Sequence, residues 1–184
     1  MVNKELSDAL SALILEAGAA KVGQVAVSEI VFDTVFRDIC AANSCGKYGK
    51  CHMCPPDVGD IHALIAEAQS YECALVFQNV YPLEDSFDFE GMVAAKDHFR
   101  AITVTLRRHL IDRKIENALL LGAGGCGVCE KCTKEENLPC KAPHLAIAGL
   151  EAYGIHVSKL AAAADMKYIN GADTVTYFGA ILLK

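Results

Sequence analysis

All but one of the chain's 9 cysteines fall into two runs. The later run reads Gly125-Cys126-Gly127-Val128-Cys129-Glu130-Lys131-Cys132, a C-x2-C-x2-C pattern, with Cys140 farther on and Pro143 just beyond it. Thiolates at i, i+3 and i+6 on an open loop can reach three corners of one cubane, and a more distant fourth can close it. The pattern is close to the bacterial ferredoxin run, which also places a proline after its last cysteine. The interleaved glycines allow backbone to approach cluster sulfide and aim N–H groups at it. The spacing therefore points to a [4Fe-4S] cluster on Cys126, Cys129, Cys132 and Cys140. Zinc on four thiolates competes, although zinc favours two separated C-x2-C knuckles. Free thiols are the third reading.

The earlier run, Cys40-x4-Cys45-x5-Cys51-x2-Cys54-Pro55-Pro56, matches no common ferredoxin or zinc-finger spacing. Its thiols can hold a second [4Fe-4S] cluster with four ligands, or a cluster on three ligands with one iron open. They can fold back to complete the other site, or hold zinc. Cys51 and Cys54 can also form a redox pair, because a C-x-x-C before a helix has a lowered thiol pKa. His52, between those cysteines, is a possible nitrogen ligand.

Composition narrows the setting for this chemistry. A chain of 184 residues buries about 70% of its unfolded surface and needs no staples to fold. A net charge of −6 argues against non-specific binding to nucleic acid or anionic membranes. The apolar stretch from Ala9 to Leu15 is preceded by Glu5 and Asp8 and closed by Glu16, unlike the basic flank of a signal peptide. No apolar run approaches the roughly 20 residues of a membrane span. These features point to the cytoplasm, where reduced cysteines act as ligands or redox groups.

The elements that must position these loops alternate between helix and strand. Helices are expected over 3–17, from Phe32 to Ile39 with Asp33 as N-cap, from Ile61 behind Asp57 or Asp60, and over 89–113 behind Asp85 or Asp88. Strands are expected over 22–27, 73–80 and 118–121. Pro143 is expected to open a helix ending before Gly154, and another helix covers 158–164. The C-terminal part reads as a hairpin, 166–169 and 175–183, turning at Asn170-Gly171. The expectation is one layered α/β domain over 1–184, with a mixed sheet and two cysteine-rich metal-binding loops.

Other residues carry weaker signals. Cys73 lies in a strand pattern and reads as a small core residue. His98 and His109 are too far apart on one helix to share a metal. His144 can bond near the later cluster. The acidic stretch from Glu84 to Glu90 reads as a helix start, or as a lid or partner surface. Lys131, Lys134 and Lys141 can offset cluster charge or attract an acidic redox partner. Gly122-Ala123-Gly124-Gly125 lacks the spacing and following helix of a nucleotide-binding turn.

Taken together, several segments resemble a family of predicted metal-binding proteins of unknown function in bacteria and archaea. They are Cys40, the Cys45-Gly-Lys-Tyr-Gly-Lys run, Cys54-Pro-Pro and the Leu83 to Gly91 stretch. Gly122 to Cys132, Cys140-x2-Pro143, Glu151-Ala-Tyr-Gly154 and Tyr168-Ile-Asn-Gly171 complete the set. The resemblance implies metal binding at Cys40, Cys45, Cys54, Cys126, Cys129, Cys132 and Cys140. Cys51 and Cys73 fall outside its pattern, so Cys51 is either a bystander or an additional ligand. The functional expectation is an iron–sulfur protein with one or two [4Fe-4S] clusters in electron transfer or as a redox accessory. The alternatives are a redox enzyme using an open iron and a zinc-stabilised interaction module. A redox partner protein or small-molecule substrate is expected, with neither nucleic acid nor membrane; the oligomeric state is not readable.

Overall fold

Strand β2 (Cys73–Pro82) and strand β5 (Thr174–Leu183) are apolar on both faces, and that dictates the layering. Side chains alternate across a strand, so Ala74, Val76, Ala180 and Leu182 enter one core while Cys73, Leu75, Phe77, Ile181 and Leu183 enter another. A sheet buried on both faces needs helices on both sides. In the computed structural model, which describes residues 3–184, α1 (Lys4–Glu16) and α4 (Phe89–Asp112) cover one face. The other is covered by α3 (Ile61–Gln69), α5 (Val157–Ala163) and the segment between Ala148 and Ile155.

The sheet order is β1-β2-β5-β3-β4, with β1 at Lys21–Ala26, β3 at Ala118–Gly122 and β4 at Ala148–Gly149. All neighbours pair antiparallel except β3 and β4, which run parallel with Gly122 opposite Gly149. The fold is thus α/β with a mixed sheet. Local chemistry starts the helices where the sequence indicates. Asp60 Oδ1 accepts from the His62 and Ala63 amides, Asp88 Oδ1 from Gly91, and Asn3 Oδ1 from Glu5.

Three expectations are corrected. Helix α2 (Val35–Ala41) begins later than Phe32, and Val35 and Ile39 on its expected buried face are exposed. Pro143 opens no long helix; a turn, β4 and a 3-10 helix at Leu150–Tyr153 take its place. The C-terminal hairpin is absent, because both edges of β5 are occupied by β2 and β3. Met166 instead packs into the core beneath the sheet.

The parallel step from β3 to β4 positions the cysteines. Parallel neighbours need a long crossover, usually a helix. Here residues 123–147 make that connection as the later cysteine loop. It leaves the C-terminal end of β3, the side of a parallel pair where ligands tend to bind.

Candidate metal centre

Each cysteine loop is shaped by its own backbone. In the earlier loop, Gly46 and Gly49 adopt φ values of +71° and +67°, a region costly for residues with a Cβ. Asn43 Oδ1 accepts from the Tyr48 amide at 3.0 Å, and the Gly49 amide donates to the Pro55 carbonyl at 2.9 Å. The Cys54 amide donates to the Cys51 carbonyl at 3.0 Å, closing a turn between the two cysteines. In the later loop, Thr133 is buried and its hydroxyl donates to the Pro139 carbonyl at 2.8 Å, holding Cys132 and Cys140 in one fold of chain.

The loops are also tied together. His52 Nε2 bonds the Leu138 carbonyl at 3.0 Å, and Lys134 pairs with Asp57. Lys47 lies 3.9 Å from Glu135, and Lys131 pairs with Glu136 at 3.1 Å. Lys131 and Lys134 are therefore engaged by carboxylates of the loops themselves. His144 is exposed, and its carbonyl accepts from Arg107 Nε at 2.9 Å.

Two adjacent cavities result. One, of about 20 Å³, is lined by Cys126, Cys129, Cys132 and Cys140, together with Cys51 and His52. The other, of about 70 Å³, is lined by Cys40, Cys45 and Cys54, with Gly125 and Glu151. Met53 forms part of both walls. The sequence grouped Cys51 with Cys40, Cys45 and Cys54, but its side chain lines the later loop's cavity. Cys73 stays in the core, far from either loop's chemistry.

The thiols line these two spaces. Among the described residues, no three His, Cys, Asp or Glu side chains are grouped as a single ion requires. A zinc at about 2.3 Å from each sulfur would draw its thiolates much closer together. A polynuclear cluster carries its ligands on the outside of a larger body.

Close backbone keeps the space open. A Cβ on Gly125 would stand 3.1 Å from Cys54 Sγ, and one on Gly149 would stand 2.6 Å from the Gly124 carbonyl oxygen. A Cβ on Gly127 would strike the Arg100 side chain at 2.5 Å.

Electrostatics follows from burial. Burial pushes the Cys40 thiol up, with Glu151 and Cys45 adding to the rise and Arg37 opposing it. Burial likewise raises Cys126. The neighbouring Cys54 side chain lowers Cys51, with further help from the Met53 and Cys126 backbones, and Cys51 and burial raise Cys54.

Two guanidinium groups complete the picture. Nε and Nη2 of Arg37 are buried without a hydrogen-bond partner among the described residues, as is Nε of Arg100. Arg37 precedes Cys40 by one helical turn. Arg100 lies along the Cys126-Gly127 backbone and reaches the Gly125 carbonyl at 3.4 Å. Arg100 also pairs with Asp97 at 3.1 Å, so it is Arg37 that keeps two orphaned donors, and such buried donors call for an acceptor or negative charge beside them. Clusters of thiolates with bound iron and sulfide supply it, so the residues present fit such groups. Sequence reasoning gave no role to Arg37 or Arg100, and it met Glu151 only within the Glu151-Ala-Tyr-Gly154 segment of the family resemblance, without a role. A further readable signal for Glu151 is that it is a lone acid within the apolar run from Leu145 to Tyr153.

A family model described as "Predicted metal-binding protein (DUF2284)" matches residues 23–183. The chain belongs to that family. No curated protein and no solved structure matches it. Among the described residues, no helix is long and apolar enough to cross a membrane.

Proposed function

We propose that this predicted metal-binding protein is an iron–sulfur electron carrier with two neighbouring [4Fe-4S] sites. Cys126, Cys129, Cys132 and Cys140 hold one cluster, and Cys40, Cys45 and Cys54 hold the other. The observation that carries this reading is the sorting of seven of these thiols into two cavities that share Met53 as a wall. When bound, such clusters supply one-electron transfer at a potential set by ligation, hydrogen bonds to sulfur and burial.

The chain's own residues do the rest. Gly125 leaves room beside the Cys54 sulfur. Arg37 and Arg100 place positive charge beside each site. A wider groove lined by Lys96, Arg100, Cys126, Cys129 and Cys132 opens the later site to a redox partner. The dithiol reading of Cys51 and Cys54 is disfavoured because Cys51 is only 2% exposed, beyond reach of an attacking thiolate.

Anaerobic purification with a visible spectrum and iron, sulfide and zinc counts tests the proposal. A brown protein with about eight irons per chain supports two cubanes, and about four supports one. A colourless zinc protein overturns the electron-transfer reading and leaves an interaction module.

A further inference from the structure

The earlier site has three thiolates, and a fourth ligand is needed for a closed cubane. Cys51 was the obvious candidate, but it lines the other cavity. Glu151 is the one carboxylate among the residues lining the space in front of Cys40, Cys45 and Cys54.

Its placement is built. Glu151 sits in the 3-10 helix that follows β4. Its neighbours Leu150, Ala152 and Tyr153 are buried in the core, and Tyr153 is further held by its hydroxyl donating to Glu67 at 3.1 Å. Gly154, at φ +70°, ends that turn, and Gly149 packs against the Gly124 backbone before it. Of the four residues in the turn, Glu151 alone stays out of the core.

The carboxylate is also short of partners. Among the described residues no lysine, arginine or histidine pairs with it. A half-buried carboxylate facing thiols without a cation is costly to keep charged, and a metal beside it removes that cost.

We infer that Glu151 is the fourth protein ligand of the earlier site, its carboxylate completing the set of Cys40, Cys45 and Cys54 and marking one iron as exchangeable. Oxygen holds iron of a cluster less firmly than thiolate sulfur, so that iron is the one a small anionic or neutral donor can displace Glu151 from. This inference rests on the iron–sulfur reading of the earlier site.

The test uses the full chain, purified anaerobically and reconstituted with iron and sulfide. Ferricyanide then takes one electron from a susceptible cluster, which releases one ferrous ion and leaves a three-iron form visible by electron paramagnetic resonance. Glu151→Ala and the near-isosteric Glu151→Gln, in case the first fails to fold, are expected to release that iron about tenfold faster than wild type. Glu151→Cys is expected to restore slow release and to alter the visible charge-transfer band. A purely structural role would give no such rescue. Wild-type release rates and spectra in both neutral variants overturn the inference. Wild type with about four irons, or with zinc alone, instead overturns the earlier cluster itself, and the inference falls with it.

Discussion

Cys51 and Cys54 belong to one turn, closed by the Cys54 amide on the Cys51 carbonyl at 3.0 Å, yet they line different cavities. The turn between them is therefore the partition between the two candidate sites. Gly125 and Cys126 repeat the arrangement on the facing loop, one lining each cavity. Under the proposed assignment Cys51 lies on the later side of that partition and is not required as a ligand.

Cys51→Ser tests that assignment. Serine is near in size to cysteine and fits the same space. The expected result is about eight irons per chain and an unchanged spectrum, as in wild type. A loss of about four irons would instead count Cys51 among the ligands.

Gly125→Ala tests the packing of the earlier site. The added methyl would stand 3.1 Å from Cys54 Sγ, tighter than an ordinary contact, and the obstructing atom is a ligand sulfur. The expected outcome is selective loss of the earlier cluster, leaving about four irons per chain on the later one. Iron analysis after gel filtration checks it. Equal loss from both sites would mean that the loop as a whole had moved.

Much of this arrangement was legible, for identifiable reasons. Asp60 and Asp88 cap helices because their carboxylates meet amides two and three residues on, a purely local matter. The buried run from Cys73 and the thiol spacing after Gly125 are equally local. What escaped depends on distant partners. A turn at Asn170-Gly171 resembles a hairpin only until β2 and β3 take both edges of β5. Asn170 there bonds the Lys167 carbonyl and the Thr176 hydroxyl rather than closing a two-stranded ribbon. β4 is two residues long and exists because Leu121 and Gly122 lie beside it. The side of the partition that Cys51 faces, and the arrival of Glu151 beside Cys40, are set by loops far apart in the chain.

Alkaline titration provides a test away from the sites. Burial raises the phenols of Tyr71, Tyr81, Tyr153 and Tyr177, and Tyr81 is pushed up to about 12. In the unfolded chain Tyr81 ionises near 10.0. Between those values the folded state holds the proton that the unfolded state has released. The stability from this group is thus full below about pH 10 and is lost as pH rises toward 12. Thermal melts across that window are expected to fall with pH, and less steeply for Tyr81→Phe. Tyr81→Phe also loses the 2.8 Å bond to His98, at a cost of about 1 kcal/mol at neutral pH.

Arg37→Met separates a structural arginine from one that serves the metal. Nε and Nη2 of Arg37 are buried without a partner among the described residues, and a buried unsatisfied donor costs about 1–3 kcal/mol. Methionine keeps much of the length of the arginine's apolar stem without its donors. The apo variant is therefore expected to be more stable than wild type by about 1 kcal/mol in a urea melt. Loading reverses the sign. The guanidinium then offsets the negative charge of the cluster at Cys40, so its removal is expected to speed loss of the earlier cluster and make its potential more negative, by about 60 mV for a tenfold change in a one-electron equilibrium. Anaerobic redox titration and iron-release rates check the loaded arm. If Arg37→Met destabilises apo and loaded protein alike, the arginine is a packing residue and the orphaned donors carry no message about charge in the cavity.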